Sequence, residues 1–306
     1  MSLAWPRSAN ILLRAFERPQ SDPRMVARVG GDCSTAANPL EELMTRQLLT
    51  SVLVAAITMI AGLAVTTDAQ AGEAEDLLKA MSDYLAAQKN ISFAYDADFE
   101  VVTKDGQKLL LANSGTLDLS RPDKIRASRG AGFANVEMVF DGKTLSMLGK
   151  DENVYVQVET PGTIEQLTDF LRDKFHKPLP GADLLSPNVY DVLMADVTDV
   201  KDLGSGVIGG TECDHLAFRT KEVDWQIWIA QGARPYPCRY VITSKQVDQA
   251  PQYSVEIRDW KTGGEVATDD FGFKAPADAK KMDAKDLKDM KGADELPSNF
   301  AIGAAQ

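Results

Sequence analysis

The residues best suited to chemistry in this sequence lie together in one short stretch, CDHLAFR, at residues 213–219. Cys213 and His215 could act as a nucleophile and its base, or as two ligands of a metal ion. A metal site requires three or four ligands, and a nucleophilic site also requires a group that orients the base. The remaining candidates are the other histidine, His176, and scattered acids. The stretch therefore favours a histidine at a sheet surface, bonded to a neighbour, over a catalytic or metal centre.

Other signatures of catalysis are missing from the sequence. It contains no HExxH, GxSxG, GxGxxG or P-loop pattern. The glycine-rich stretch LGSGVIGG at 203–210 precedes a strand instead of a helix, so we interpret it as a loop and not as a phosphate site. The acid pairs Asp96/Asp98 and Asp269/Asp270 are most simply solvated strand faces and turns. We expect no enzymatic activity, no cofactor and no metal ion.

The N-terminal part of the chain predicts export. Arg46 precedes an apolar run at 48–65, and Ala69-Gln70-Ala71 is a small-x-small cleavage pattern. This layout, at residues 44–71, is typical of a secretory signal peptide. The alternative is an uncleaved membrane anchor, because a run of about 18 residues is just long enough to span a bilayer. Residues 1–43 show no sustained period and are expected to be an unstructured, over-extended N-terminus.

The composition of the remaining chain limits its partners. Without residues 1–71 the net charge is still −12. An acidic exported protein is a poor candidate for binding nucleic acid or an anionic membrane, since both attract positively charged protein surfaces. Residues 72–276 suffice for one domain with a sizeable core. Residues 277–306 are charged and poor in large apolar groups, which predicts a flexible tail or a marginal helix.

Two cysteines, Cys213 and Cys238, follow the predicted signal peptide. In an oxidising compartment an isolated pair favours a disulfide. Such a bridge would close a loop of about 25 residues and stabilise the protein by about 3 kcal/mol. The alternative is two buried thiols on next-but-one strands, which would lie too far apart to bridge. The sequence leaves both possibilities open.

Hydrophobic periodicity predicts the elements of the domain. The stretch AEDLLKAMSDYLAAQK at 74–89 repeats its apolar residues every three or four positions, as a helix does. From residue 91 the period changes to two. Turn signals such as Asp105-Gly106 and Asp141-Gly142 divide residues 91–159 into a meander of six short antiparallel strands.

Helical signals return after this meander. A capping box at 163–166 opens a helix, and a second helical stretch in two pieces is predicted from about 183 to 203. A second meander of about five strands follows, and its last strand is the short FGFKAP at 271–276. We therefore predict an α+β fold in which one curved antiparallel sheet of about 11 strands, an incomplete β-barrel, wraps a few helices.

Several strands carry apolar residues on both faces. In VDWQIWIA at 223–230, Trp225 shares a face with the other apolar residues, whereas Trp228 points to the opposite face. In QYSVEIRDW, strict alternation places Trp260 on the face of Arg258, away from the apolar residues. A second apolar face is either covered by helices or is the wall of a ligand cavity. The candidate cavity residues are Trp225, Trp228, Phe93, Tyr95, Phe99, Leu109, Leu111, Tyr155 and Trp260.

Several sequence motifs together resemble those of a known family. ADLLSPN, CDHLAFR, VDWQIWI, PYPCRYVIT and APQY, with Trp260 at a strand end, resemble a family of predicted periplasmic proteins, domain of unknown function 2092, over residues 74–282. More distantly, the order of elements and the final F-x-F-x-x-P (Phe271, Phe273, Pro276) are similar to the LolA/LolB lipoprotein-carrier superfamily. This resemblance implies a periplasmic location and a LolA-like half-barrel, lidded by helices, whose cavity holds acyl chains.

The resemblance and the missing catalytic set together favour one function. We expect a periplasmic binding or carrier protein for a lipid, a lipoprotein acyl chain or another hydrophobic ligand. We expect it to be monomeric and to touch an envelope membrane protein transiently. The lid arginine of LolA has no counterpart marked by a motif here, and Arg126, Arg219 and Arg258 are the candidates. The alternative function is a structural module of the envelope with a fully packed interior.

Overall fold

The computed structural model describes residues 67–132, 134–175, 181–267 and 271–285, with side chains omitted at 67–70 and 175. The expected N-terminal extension and most of the predicted signal peptide lie outside the described residues, as do His176, Asp269/Asp270 and most of the predicted tail.

The described residues form one open, curved sheet of 12 strands. The spatial order is β12-β6-β5-β4-β3-β2-β1-β11-β10-β9-β8-β7, so the two meanders join where β1 pairs with β11. All pairings are antiparallel except β12 with β6. The strands are β1 Asn90–Val102, β2 Lys108–Ser120, β3 Lys124–Ala131, β4 Ala134–Phe140, β5 Thr144–Gly149, β6 Val154–Glu159, β7 Asp199–Ile208, β8 Thr211–Arg219, β9 Val223–Ala230, β10 Pro237–Ser244, β11 Gln252–Thr262 and β12 Lys280–Lys281.

Helices and a 3-10 turn cover one face of this sheet, which we call the inner face. They are α1 Thr67–Ala87, α2 Ile164–Phe175, the 3-10 turn η1 Ala182–Leu185 and α3 Val189–Met194. A further 3-10 turn, η2 Gly263–Glu265, follows β11. The predicted capping box opens α2, because the backbone N–H of Thr163 donates to Gln166 Oε1 (2.9 Å) and that of Gln166 donates to Thr163 Oγ1 (3.4 Å). Within the described part of the chain, no helix has the length and apolar character needed to cross a membrane.

The main core lies between these helices and the inner face. Leu78, Met81 and Leu85 of α1 are fully buried, as the helical period predicts. They meet apolar residues that the strand period places on the inner face, such as Ile91 and Leu119. This arrangement confirms the predicted fold class, a curved antiparallel sheet wrapping a few helices.

Two segments differ from the predicted secondary structure. The helical stretch ends at Met194, and the following residues, including most of the predicted loop LGSGVIGG, form β7. A bulge between Asp202 and Ser205 accommodates Gly204, whose φ of 82° lies in the left-handed region. Glycines that predict a loop from the local sequence therefore belong to a strand here, because this segment pairs with β8. Conversely, FGFKAP at 271–276 does not form a strand.

The beginning of the predicted tail packs against the sheet. We call residues 271–285 the C-terminal strap. Its Lys280–Lys281 pairs with the edge of β6, and Met282 packs on Val156. Pairing and apolar contact order this part of the strap, which its composition does not predict, and cover an otherwise open sheet edge.

Candidate functional site

The inner face keeps a group of apolar side chains that the helices do not bury completely. Register places Tyr95 beside Gly115, and Leu117, Ala127 and Met147 in one row across β2 to β5. Leu109 and Leu111 continue the inner face of β2 toward its other end. We call this set the inner apolar surface; its members, all half-buried, are Tyr95, Leu109, Leu111, Leu117, Ala127 and Met147.

Tyr95 is held on this surface by a hydrogen bond, and a glycine leaves room for its ring. Its hydroxyl donates a hydrogen bond to the backbone carbonyl of Ser128 (3.1 Å), so the ring crosses the neighbouring strand over Gly115. A Cβ built on Gly115 would lie 1.9 Å from Ser128 O and 2.6 Å from the Tyr95 hydroxyl. Only glycine fits there, and any larger residue would displace Tyr95.

Trp225, another candidate, belongs to the filled part of the inner face. It is 2% exposed, stacks on Phe218 with ring centroids 3.9 Å apart, and meets the edge of Tyr240 at 5.9 Å. Phe99 is also buried in this core. The protein's own side chains surround Trp225, so it supports the sheet and does not line an open surface.

Trp260 lies on the face opposite to the one predicted by alternation. A bulge in β11 places both Asp259 and Trp260 opposite Phe93, and Asp259 adopts a φ of 56°. The extra residue returns Trp260 to the inner side, where it stacks on Phe93 (5.7 Å). Its Nε1–H donates to the Tyr84 hydroxyl of α1 (3.2 Å). The prediction of its face was therefore wrong, because one bulge residue reverses the alternation.

Trp228 lies on the outer face, away from the helices. Its ring stacks on His215 with centroids 3.9 Å apart, and the Nε2–H of His215 donates to Gln226 Oε1 (2.9 Å). His215 is therefore a histidine at the sheet surface bonded to a neighbour. The Trp228 indole also reaches β7, since a Cβ on Gly206 would be 3.3 Å from its Nε1.

The β7–β8 hairpin folds over the outer face and creates a second, smaller core. Its turn residue Gly209 approaches Glu256 of β11, and a Cβ built on Gly209 would be 3.5 Å from Glu256 Oε1. We call the cluster beneath this hairpin the outer core. It consists of Ile208, Cys213, Ala230 and Cys238, with Trp228 and Tyr236 packed against them. Trp228 thus contacts the protein's own hairpin, and the structure does not bring it together with Trp225.

Cys213 and Cys238 meet inside the outer core. They lie on β8 and β10, which are next-but-one strands, yet their Sγ atoms are 2.8 Å apart. The β9–β10 register shifts around Cys238, between Pro237 and Arg239, which removes the separation expected of flat strands. The expectation that such strands hold the sulfurs too far apart was therefore wrong. Burial raises the pKa of both thiols.

Tyr155 also lies on the outer face, near the other edge of the sheet. Its ring lies 5.5 Å from Phe273 of the C-terminal strap, with the ring planes tilted. Arg126 extends from the same face, where its Nη2–H donates to the carbonyl of Gly272 (3.2 Å) and the guanidinium pairs with Glu137. Both residues hold the strap, so neither belongs with the inner apolar surface.

The other two arginine candidates also lie away from the helices. Arg219 makes a bidentate ion pair with Asp224, with both hydrogen bonds 2.8 Å long. Arg258 pairs with Asp96 across β11 and β1 (Nε to Oδ2, 2.7 Å). The Arg258 guanidinium, helped by the Ser114 hydroxyl, holds the pKa of Asp96 below its usual range. These exposed pairs support the sheet surface.

Arg121, which sequence reasoning missed, does contact the helical layer. It follows β2, and its Nη1–H donates to the carbonyl of Leu185 in η1 (2.7 Å). The same nitrogen lies 3.9 Å from Glu165 Oε1 of α2. No motif marks Arg121 in the sequence, because its neighbours come from elements more than 40 residues away. Across the described ranges, no group of His, Cys, Asp and Glu is arranged to hold a metal ion.

Fold and site together define an open antiparallel sheet with a helix-covered concave face and an incompletely buried apolar surface on it. The chain belongs to the family described as predicted periplasmic protein (DUF2092), whose model matches residues 74–284. The resemblance found in the sequence is thereby confirmed, and the protein is periplasmic. No curated protein matches the chain.

Solved structures with a similar arrangement have low identity. LprF from Mycobacterium bovis is 13% identical, with a TM-score of 0.41, over 68% of this chain and 98% of that one. A LolA superfamily protein from Nitrosomonas europaea is 12% identical, with a TM-score of 0.31, over 65% and 97%. A chain of the MucA/MucB complex from Pseudomonas aeruginosa is 16% identical, with a TM-score of 0.39, over 66% and 62%. Values of this size carry no argument about ligand or partner.

Proposed function

We propose that the protein binds and carries a lipid, a lipoprotein acyl chain or another hydrophobic molecule on the inner apolar surface. The observation that carries this proposal is that Leu109, Leu111 and Leu117 remain half-buried on the face that the helices should seal. Apolar area left accessible on a concave face is the usual property of a ligand site. Covering it contributes about 25 cal/mol per Å² of apolar surface removed from water.

The carrier hypothesis requires no reactive residue. The arrangement of Cys213 and His215 agrees with a non-catalytic role, since the thiol lies in the outer core and the imidazole stacks on Trp228. A carrier of this kind would act as a monomer and exchange its ligand in a transient contact with a membrane protein of the envelope. The competing hypothesis is a structural module, in which small movements of the helices complete the packing of the inner apolar surface.

The experiment uses two neighbouring leucines of β2 that point to opposite faces. Leu111 belongs to the inner apolar surface, whereas Leu110 is 63% exposed on the outer face. Protein from the periplasm is delipidated and titrated with a fluorescent fatty acid. We expect Leu111→Glu to weaken binding by about tenfold or more, because a carboxylate there would be desolvated against an acyl chain.

Leu110→Glu is the matched control and should bind as the wild type does. Equal weakening by both substitutions would contradict a site on the inner face. Absence of uptake by the delipidated wild type would favour the structural module instead.

We also propose that Cys213 and Cys238 form a disulfide in the periplasm. The support is the approach of two buried sulfurs in an oxidising compartment. Oxidation removes two protons and two electrons from the thiols, and a protein disulfide of a thiol-oxidising enzyme accepts them by thiol–disulfide exchange. Because burial disfavours the reactive thiolate, the bond should form before the β7–β8 hairpin closes over the pair.

A further inference from the structure

Arg121 is an unusual arginine because it is buried between the sheet and two helical elements. Its side chain is only 13% exposed. Its backbone N–H donates to the carbonyl of Lys89 (2.8 Å), which fixes the residue at the end of β2. The guanidinium then lies beneath α2 and η1, on the side of the molecule that carries the main core.

Most of the hydrogen-bonding capacity of this guanidinium is unused. Nη1 contacts the carbonyl of Leu185, but Nε and Nη2 are buried and have no hydrogen-bond partner among the described residues. A buried donor without a partner destabilises a protein, and a charged one does so more strongly. Burial lowers the pKa of Arg121, yet an arginine stays protonated at physiological pH.

Among the described residues, the carboxylate nearest to this guanidinium does not form a hydrogen bond with it. Glu165 Oε1 lies 3.9 Å from Nη1, beyond hydrogen-bonding distance, and its side chain is 30% exposed. Arg219 and Arg258, in contrast, each have a carboxylate bonded to two guanidinium nitrogens at the surface. A fork of free N–H donors is the geometry that recognises carboxylate and phosphate.

Arg121 is also close to the inner apolar surface. It follows Leu117 by four residues along β2, a distance of about 13 Å at the usual rise of a strand. An elongated amphiphile lying over Leu117 with its chain on the apolar side chains could therefore extend its polar end to Arg121. Leu119, between Leu117 and Arg121, is fully buried in the main core, so the helical layer, with the carbonyl of Leu185 and the side chain of Glu165, would have to move aside.

We propose that Arg121 receives the anionic end, a carboxylate or a phosphate, of an amphiphile whose apolar part lies on the inner apolar surface. This inference rests on the proposed function and adds the chemical class of the ligand. The oxyanion accepts hydrogen bonds from Nε and Nη2 and neutralises a buried positive charge that the described residues meet only with Glu165 at 3.9 Å.

The test compares ligands that share a chain and differ in their polar end. Delipidated protein from the periplasm is titrated with a long-chain fatty acid, the corresponding fatty alcohol and a lysophosphatidic acid. We expect the wild type to bind at least one of the two anions about tenfold more tightly than the alcohol. Whichever anion is preferred identifies the source of the oxyanion.

Variants then assign this preference to Arg121. Arg121→Gln should abolish this preference, so that the anions bind no more tightly than the alcohol, and Arg258→Gln, at an exposed arginine of the outer face, should keep it. Arg121→Lys retains the charge but loses the fork, so it should reduce the preference without removing it. This variant also provides the test if Arg121→Gln does not fold.

Two results would overturn the inference. One is a wild type that binds the alcohol as tightly as both anions. The other is an Arg121 variant that weakens alcohol and anions equally, which would mean that Arg121 only holds α2 and η1 in place. Both leave the proposed function standing, whereas failure of the wild type to bind any of the three ligands would refute the proposed function itself.

Discussion

Trp225 and Trp228 are three positions apart on β9 and belong to two different cores. Trp225 lies in the main core, enclosed by residues of the sheet and the helices around it. Trp228 lies in the outer core, beneath a single hairpin that folds back over the sheet. Trp225 is almost inaccessible to solvent, whereas Trp228 is half-buried between His215 and Gly206 of β7.

The difference shows that a second apolar face can have more than one cause. At β9 the cause is the chain's own hairpin, and at Tyr155 it is the C-terminal strap. On the inner face, by contrast, the half-buried apolar residues of the inner apolar surface remain, and these form the proposed ligand site. The main core should therefore determine global stability, and the outer core should make a smaller, local contribution.

The largest predicted effect separates the two cores directly. Trp225→Ala should lower the free energy of unfolding by about 3–5 kcal/mol, because it leaves a cavity beside Phe218 and Tyr240. The matched Trp228→Ala should lower it by about 1–2 kcal/mol, since this indole is half-buried. Urea unfolding followed by circular dichroism measures both values. Equal losses would show that the two cores are a single cooperative unit of similar importance.

The disulfide proposed for the outer core gives the next predicted effect. Reduction of the oxidised protein should lower the free energy of unfolding by about 3 kcal/mol, because the bridge restricts the unfolded chain. Urea unfolding with and without reductant measures it. The double variant Cys213→Ala/Cys238→Ala should be as stable as the reduced protein and should not respond to reductant.

Thiol labelling in denaturant supplies the decisive control for that bond. Neither Cys213 nor Cys238 of protein from the periplasm should react until reductant is added. Labelling of both cysteines without reductant would contradict the disulfide and leave the outer core held by packing alone.

The smallest effect concerns the exposed outer face beyond the outer core. Hydrogen bonds from Arg258 and Ser114 lower the pKa of Asp96 in the folded protein. Their stabilising contribution is therefore present above the unfolded pKa of about 4 and is lost as the pH falls through the lower folded value. Asp96→Asn should be slightly less stable than the wild type at pH 7, because both partners are about half exposed.

Thermal unfolding across a pH series tests this prediction. The difference between wild type and Asp96→Asn should shrink once the pH falls below the folded pKa of Asp96. A difference that persists unchanged at low pH would mean that the ion pair with Arg258 is not its source.

Much of the fold could be predicted because its signals are local. The six strands of the first meander, the α2 capping box and the helical stripe of α1 depend on residues a few positions apart. The positions of the candidate cavity residues were harder to predict from the sequence. Phe99 and Trp225 proved to be core residues, Trp228 and Tyr155 lie on the outer face, and Tyr95, Leu109 and Leu111 remain on the inner apolar surface.

The amino-acid sequence by itself determined the periplasmic family, the strand and helix periods and the acidic, motif-poor character of this protein. Only the tertiary structure decided what covers Trp228, the face of Trp260, the meeting of Cys213 with Cys238 and the burial of Arg121. The physical reason is that periodicity reports a residue's neighbours along one element. A bulge, a folded hairpin and the contact between a strand end and a distant helix are set by register and packing across the whole sheet.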